Sequence, residues 1–360
     1  MLEGRGLKEH MVRKAGKPGV KIIFDEQTPI SSSKDDFLRH DDNKQRLIDM
    51  LAQQLRRAEY DVLNAQDDAD YLLATTAIET ATSMPTVLVG DDTDLLCLLI
   101  HHGAERHLHQ LTLKTSVKEK ADDEPRVWNV QKLIERMGED MAKRILFLHA
   151  FSGCDTTSRI FIKDKYPVLK LHDDKRFQQV ADIFMDPASS KENVVAAGET
   201  GMILLYDGRQ TKNTSLTQVR KEKFCDRTAL SKMYVSTSAM PPTVSAAKQH
   251  SLRVHLQIMA WLGLSLDPKK WGWELKGSKY YPKYTENQPA PDNLLKVVRC
   301  GCKGDCSSLR CSCKRNGLDC SSACKECKGI SCRNVSLVED DDLDDTEQSM
   351  DIDVELSLLQ

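Results

Sequence analysis

Nine of the twelve cysteines of this 360-residue chain lie between Cys300 and Cys332. Their spacing, C-x-C-x3-C-x4-C-x-C-x6-C-x3-C-x2-C-x4-C, runs through Cys300, Cys302, Cys306, Cys311, Cys313, Cys320, Cys324, Cys327 and Cys332. Thiolates this dense suit a soft, tetrahedral ion, and zinc binds them without redox chemistry of its own. A structural zinc takes four ligands, so two ions would leave one cysteine over. Three ions need twelve ligand bonds, which nine cysteines supply if three of them bridge two metals. The count therefore favours a compact three-zinc cluster. Few apolar side chains lie between the cysteines, so folding of this stretch is expected to depend on metal.

A second set of residues is acidic. Asp91, Asp92 and Asp94 follow the short apolar run at 86–89 in V-G-D-D-T-D; Asp68 and Asp70 form D-A-D; Asp155 stands in S-G-C-D-T-T-S. Taken singly, Asp68, Asp94 and Asp155 suit helix N-caps or first turns, where a carboxylate answers the unpaired amides and the dipole. Taken together, carboxylates at the C-terminal end of a strand in an α/β sheet suit Mg2+ or Mn2+. Two such ions would steady the attacking and leaving oxygens of a phosphodiester. The remaining candidates read as structure: His101, His102, His107 and His109 as a helix end and surface segment, Cys97, Cys154 and Cys225 as buried thiols, and Trp261, Trp271 and Trp273 as core.

Elements must hold these residues in place. Leu47, Leu51 and Leu55 recur at i+4 and predict an amphipathic helix opened by Asn43. Residues 60–63 read as a short strand, D-A-D-Y-L-L as the start of a second helix, residues 86–89 as a buried strand, and 95–102 as the next helix. That alternation predicts an α/β fold, a parallel sheet with flanking helices. Residues 129–151 read as one helix ended by Gly153, and 251–262 as a helix with one apolar face ended by Gly263. Residues 276–293 read as a linker.

Charge is uneven along the chain. The net −3 becomes +7 once the ten acids of residues 336–360, a stretch without Lys or Arg, are set aside. A basic body with an acidic, disordered tail fits a nucleic-acid binder, and the tail itself is suited to a protein partner. No apolar run approaches the ~20 residues of a membrane span, and the N-terminus has no apolar signal core. Membrane and secreted classes are thereby set aside. Without export, dense cysteines read as metal ligands rather than disulfides.

The cysteine stretch resembles the tesmin/TSO1-like CXC domain, a DNA-binding module, over about 35 residues; the middle part from Cys311 to Cys324 carries the match. The resemblance implies DNA contact by the residue just before the second C-x-C, here Arg310, with Lys314 and Arg315 beside it. The three acidic motifs, in this order, resemble the flap endonuclease branch of PIN-like nucleases. That resemblance implies metal-binding roles for Asp68, Asp70, Asp92, Asp94 and Asp155, and contact with the scissile phosphate by Lys8 and Arg13. It also implies a domain incomplete at its N-terminus, since the family's first strand and the strand carrying its second acid are not matched. The two modules together resemble CXC-domain proteins of invertebrate genomes, with a transposon origin implied.

The expected organisation is a PIN-like domain over residues 1–212, a helical extension over 213–275, a linker over 276–295, a CXC-type zinc domain over 296–335 and an acidic tail over 336–360. The expected function is zinc-dependent DNA association in the nucleus beside a nuclease-like domain, with phosphodiester hydrolysis on Mg2+ or Mn2+ if that domain is active. The alternatives are a non-catalytic chromatin or transcription regulator and a protein-interaction scaffold.

Overall fold

The computed structural model describes residues 19–29, 31–65, 68–115, 126–160, 166–207, 212, 214–230, 240–277, 279–286, 299–316, 318–321, 324–329 and 332–334. Helices α1 (Lys34–Leu38) and α2 (Asp41–Arg57) come first. Asp41 and Asp42 stand in the first turn of α2 and Arg56 and Arg57 in the last, the arrangement that the helix dipole favours. Phe24 and Phe37 meet edge to face at 4.9 Å. Buried Asn43 ties the preceding chain to this pair by bonds to Val20 and Phe37 carbonyls and the Ile22 N–H. The apolar stripe predicted for α2 is present, yet Ile48, Leu51 and Leu55 are exposed.

Next come α3 (Ala69–Ala81), β1 (Thr86–Val89), α4 (Thr93–Gly103), β2 (Leu111–Lys114) and β3 (Val127–Asn129). The sheet order is β1-β2-β3. β1 and β2 are parallel, with Leu88 opposite Leu113, whereas β2 and β3 are antiparallel, with Leu113 opposite Trp128. The α/β expectation holds, but the sheet is mixed rather than all parallel, because β3 runs antiparallel to β2. Residues 60–63 form no strand; Tyr60 and Leu63 are exposed. Among the described strands β1 is at the edge of the sheet, and Val87 and Val89 stand on it exposed.

The predicted helix over 129–151 is two helices, α5 (Val130–Met137) and α6 (Glu139–Ser152). Gly138, at φ +80°, takes a conformation that side chains rarely adopt and breaks the run. Then follow α7 (Tyr166–Leu169), α8 (Lys175–Met185), α9 (Lys191–Asp207), α10 (Leu216–Leu230) and α11 (Val244–Trp261). A 3-10 turn (Pro268–Lys270) leads to β4 (Trp273–Lys276), which pairs antiparallel with β5 (Lys279–Pro282). The first part of the expected linker is thus a hairpin, its strand β5 opening residues 279–286. Short helix α12 (Ser312–Arg315) lies within the cysteine stretch.

α4 packs between α3 and α6, and α9 between α8 and α11, which also contacts α6. Phe147 and Phe151 of α6 gather with Phe177 and Phe184 of α8, the ring centroids 5.1–6.0 Å apart. Most of α11 has no exposed face: residues 249–259 are buried all round, although the sequence shows apolar residues on one side only. Its polar residues are held internally, as when His255 Nδ1 meets the Phe184 carbonyl at 3.0 Å. α9 and α11 pack closely where Gly198 admits the Ser251 side chain, since a Cβ on Gly198 would stand 1.8 Å from Ser251 Oγ. The cysteines form a separate buried cluster. No helix among the described residues is long and apolar enough to cross a membrane.

Candidate metal centres

The acidic residues are placed by two helix starts. Asp68 caps α3, its carboxylate accepting from the Asp70 N–H at 3.0 Å. Asp92 caps α4 in the same way, accepting from the Asp94 N–H at 3.0 Å. The D-A-D and D-T-D motifs are therefore the same local device, a cap and a first-turn acid, and each is followed by an apolar helix. β1 and the 90–91 link bring the second device beside the first. Carboxylate oxygens of Asp70, Asp92 and Asp94 lie within 4.8 Å of one another. Asp92 is exposed, Asp70 half-buried and Asp94 buried.

Asp68 and Asp155 stand outside that group. Asp68 acts as the cap described, and Asp155 is exposed in the turn that follows α6. Gly153 makes that turn at φ +120°, where an added Cβ would meet the Arg159 backbone at 2.8 Å. The turn is laced together: Thr157 Oγ1 donates to the Ala150 carbonyl at 2.8 Å and accepts from the Cys154 N–H at 2.9 Å. Thr156 Oγ1 donates to Gln257 Oε1 of α11 at 2.5 Å, and Arg253 Nη2 donates to Ser158 Oγ at 2.7 Å. Desolvation and the Asp94 carboxylate push the Cys154 thiol up, so it is held as a thiol rather than a nucleophilic thiolate.

Sequence reasoning missed His149. Its Nε2 lies 2.7 Å from Asp94 Oδ1, with both side chains buried. The ring stacks on Trp261, with centroids 5.6 Å apart and planes at 24°. The signal available was a lone polar residue inside the apolar run I-L-F-L-H-A-F, four positions before Gly153. The other histidines are used structurally, as read: His101 Nδ1 contacts the Lys143 carbonyl at 2.9 Å, and His102 Nε2 the Trp261 carbonyl at 2.8 Å.

The cysteines converge on Cys300. Its Sγ is 3.8 Å from Cys306, 3.8 Å from Cys320 and 3.9 Å from Cys327. Cys311 and Cys320 are 3.7 Å apart, and Cys313 and Cys324 3.4 Å. All nine are free thiols. Around a tetrahedral zinc with bonds of about 2.3 Å, neighbouring sulfurs stand about 3.75 Å apart. The four longer separations match that edge. Three quartets have their sulfurs within 4.8 Å: Cys300, Cys306, Cys320 and Cys327; Cys300, Cys302, Cys306 and Cys311; Cys300, Cys311, Cys313 and Cys320. Cys300 belongs to all three, and Cys306, Cys311 and Cys320 to two each, so the geometry shares thiols between sites. The donor set fits zinc.

Backbone amides begin to compensate the thiolate charge. The Gly329 N–H and neighbouring thiols draw Cys327 down to about 7 against its desolvation. Desolvation raises Cys311, but the Lys314 N–H and the Cys320 and Cys300 thiols outweigh it and bring it to about 6. Desolvation foremost pushes Cys306 and Cys320 up, and Cys313 up to about 11. A cation is what such a set calls for. Chain contacts close the module: Lys325 N–H to the Cys300 carbonyl at 2.9 Å and Asn334 Nδ2 to Cys320 Sγ at 3.4 Å.

Among the expected DNA contacts, Arg310 and Arg315 are exposed, and Lys314 is half-buried with Nζ donating to the Ser307 carbonyl at 2.6 Å. Leu309, beside Arg310, is also exposed. Lys8, Arg13 and the acidic tail lie outside the described residues. Neither protein-family models, curated proteins nor solved structures match this chain.

Proposed function

We propose that the chain is a zinc-dependent DNA-associating protein whose cysteine module grips the duplex and whose α/β body is a PIN-like domain carrying one divalent-cation site. The observation that carries this reading is the set of sulfur separations of 3.7–3.9 Å centred on Cys300, the spacing of ligands shared by zinc ions. A module folded around metal leaves its side chains for its surface, and residues 294–335 hold nine Lys or Arg against three acids. Arg310, Lys314 and Arg315 supply the contacts, the guanidiniums to phosphates or a narrow minor groove.

In the body, Asp70, Asp92 and Asp94 would hold Mg2+ or Mn2+. Such an ion, when bound, polarises a phosphate oxygen and lowers the pKa of a bound water. Three carboxylates suit one ion rather than a two-ion clamp. That favours cation-assisted docking of a phosphate, and hydrolysis only if one ion suffices. Asp155, exposed and apart from the trio, supports the runner-up reading of a non-catalytic DNA-bound regulator. Nuclear residence follows from either reading.

The test is salt-dependent DNA binding by the zinc-loaded full chain, with Arg310→Ala and an Mn2+-dependent cleavage assay alongside. Binding that weakens steeply with salt, with a slope about one unit smaller in Arg310→Ala, is the expected result. A chain that retains zinc and shows no salt-dependent DNA binding would overturn the reading in favour of a protein-interaction scaffold.

A further inference from the structure

One buried group beside the proposed cation site has no part in holding the ion. His149 of α6 reaches Asp94 of α4 with Nε2 at 2.7 Å from Oδ1, and its ring lies on Trp261 of α11. Trp261 is fixed in turn through its carbonyl, which meets His102 Nε2 at 2.8 Å. A second set of contacts ties the turn after α6 to α11. Cys154 Sγ meets Thr156 Oγ1 at 3.5 Å in that turn, and Thr156 Oγ1 donates to Gln257 Oε1 of α11. Gln257 and Trp261 are one helical turn apart on α11. α11 is thus held both by the His149–Trp261 stack from α6 and by the Thr156–Gln257 bond from the 153–157 turn.

We propose that His149 is the positioning residue of the Asp70, Asp92 and Asp94 site: by donating from Nε2 it fixes the plane of the Asp94 carboxylate for a divalent cation. The inference rests on the cation reading above. A buried carboxylate beside two others is destabilised by their repulsion, and without a fixed partner it would turn away from them. The imidazole prevents this from behind, while the Trp261 stack keeps the ring from rotating. Outer partners of this kind change metal affinity by about 10–100-fold when removed.

The test is Mn2+ binding to the zinc-loaded full chain, followed by electron paramagnetic resonance of the free ion, with three variants. Asp92→Asn with Asp94→Asn tests the site itself. His149→Phe keeps the ring on Trp261 and removes the donor, and His149→Gln keeps a donor. The expected result is Mn2+ affinity lowered at least tenfold in His149→Phe and largely recovered in His149→Gln, with both variants melting near the wild type. Equal affinity in His149→Phe and wild type would overturn the positioning role while leaving the cation site standing. Absence of binding that depends on Asp92 and Asp94 in the wild type would overturn the cation reading itself, and the role with it. If His149→Phe does not fold, the wild type decides: the His149 ring resonances are expected to shift on adding Mg2+, and resonances that do not move would overturn the proposal.

Discussion

Thr156 and Gln257 are 101 positions apart in the chain and 2.5 Å apart in the fold, hydroxyl to amide oxygen. Through that bond the turn carrying Cys154 and Asp155 is fixed to α11, the most deeply buried helix. Thr156→Val removes the donor and strands Gln257 Oε1 in the core. The expected cost is about 1–3 kcal/mol in urea melts, the penalty of an unmatched buried polar atom. Thr156→Ser keeps the hydroxyl and should lose less. Equal losses in the two variants would show that the methyl group, not the bond, holds the turn.

Cys300 is the hub of the cysteine cluster, a member of each of the three sulfur quartets, whereas Cys332 belongs to none of them. Cys300→Ser should therefore abolish metal retention by the module, and Cys332→Ser should cost at most one ion. Native mass spectrometry reads both directly. Three zinc ions in the wild type are expected from the ligand count. Two would show separate four-cysteine sites. A chelator should unfold residues 299–334 and leave the melting of the α/β body unchanged, because the two have separate cores.

Buried histidines make the body acid-sensitive. Desolvation, helped by the Arg253 charge, holds His250 down at about 3. Desolvation and the neighbouring His102 hold His101 at about 4. Both rings stay neutral in the fold, while in the unfolded chain they take up protons below about 6.5. Stability is thus complete above that value and falls as the pH drops toward 4. The decline is at most about 1.4 kcal/mol per pH unit for each ring. Urea melts at pH 7, 6 and 5 should show this slope, and His250→Gln should reduce it. An unchanged slope in the variant would place the acid sensitivity elsewhere.

Local pattern carried much of this molecule. The cysteine spacing was enough to expect a shared-thiol metal cluster, because ligand number and loop length restrict how nine sulfurs can meet. The D-x-D motifs were legible as helix starts, since a cap and its first-turn acid are contacts within three residues. Strand β1 and helix α4 were likewise local, an apolar run and a period of 3.6 around a turn.

Tertiary structure alone decided the rest. Asp70 joined Asp92 and Asp94 while Asp68 and Asp155 did not, because which of two neighbouring acids faces a site depends on how α3 docks against α4. His149 was invisible as a partner of Asp94, being 55 positions away and inside an apolar run. The one-sided apolar pattern of α11 hid a helix buried on every side over residues 249–259, where His250, His255, Gln257 and Arg253 bond carbonyls and hydroxyls supplied by distant segments. β3 turned antiparallel and residues 60–63 stayed out of the sheet, choices made by pairing between strands. Sequence fixes contacts that neighbours in the chain can make; the closing of remote elements on one another determines which charges are left facing each other.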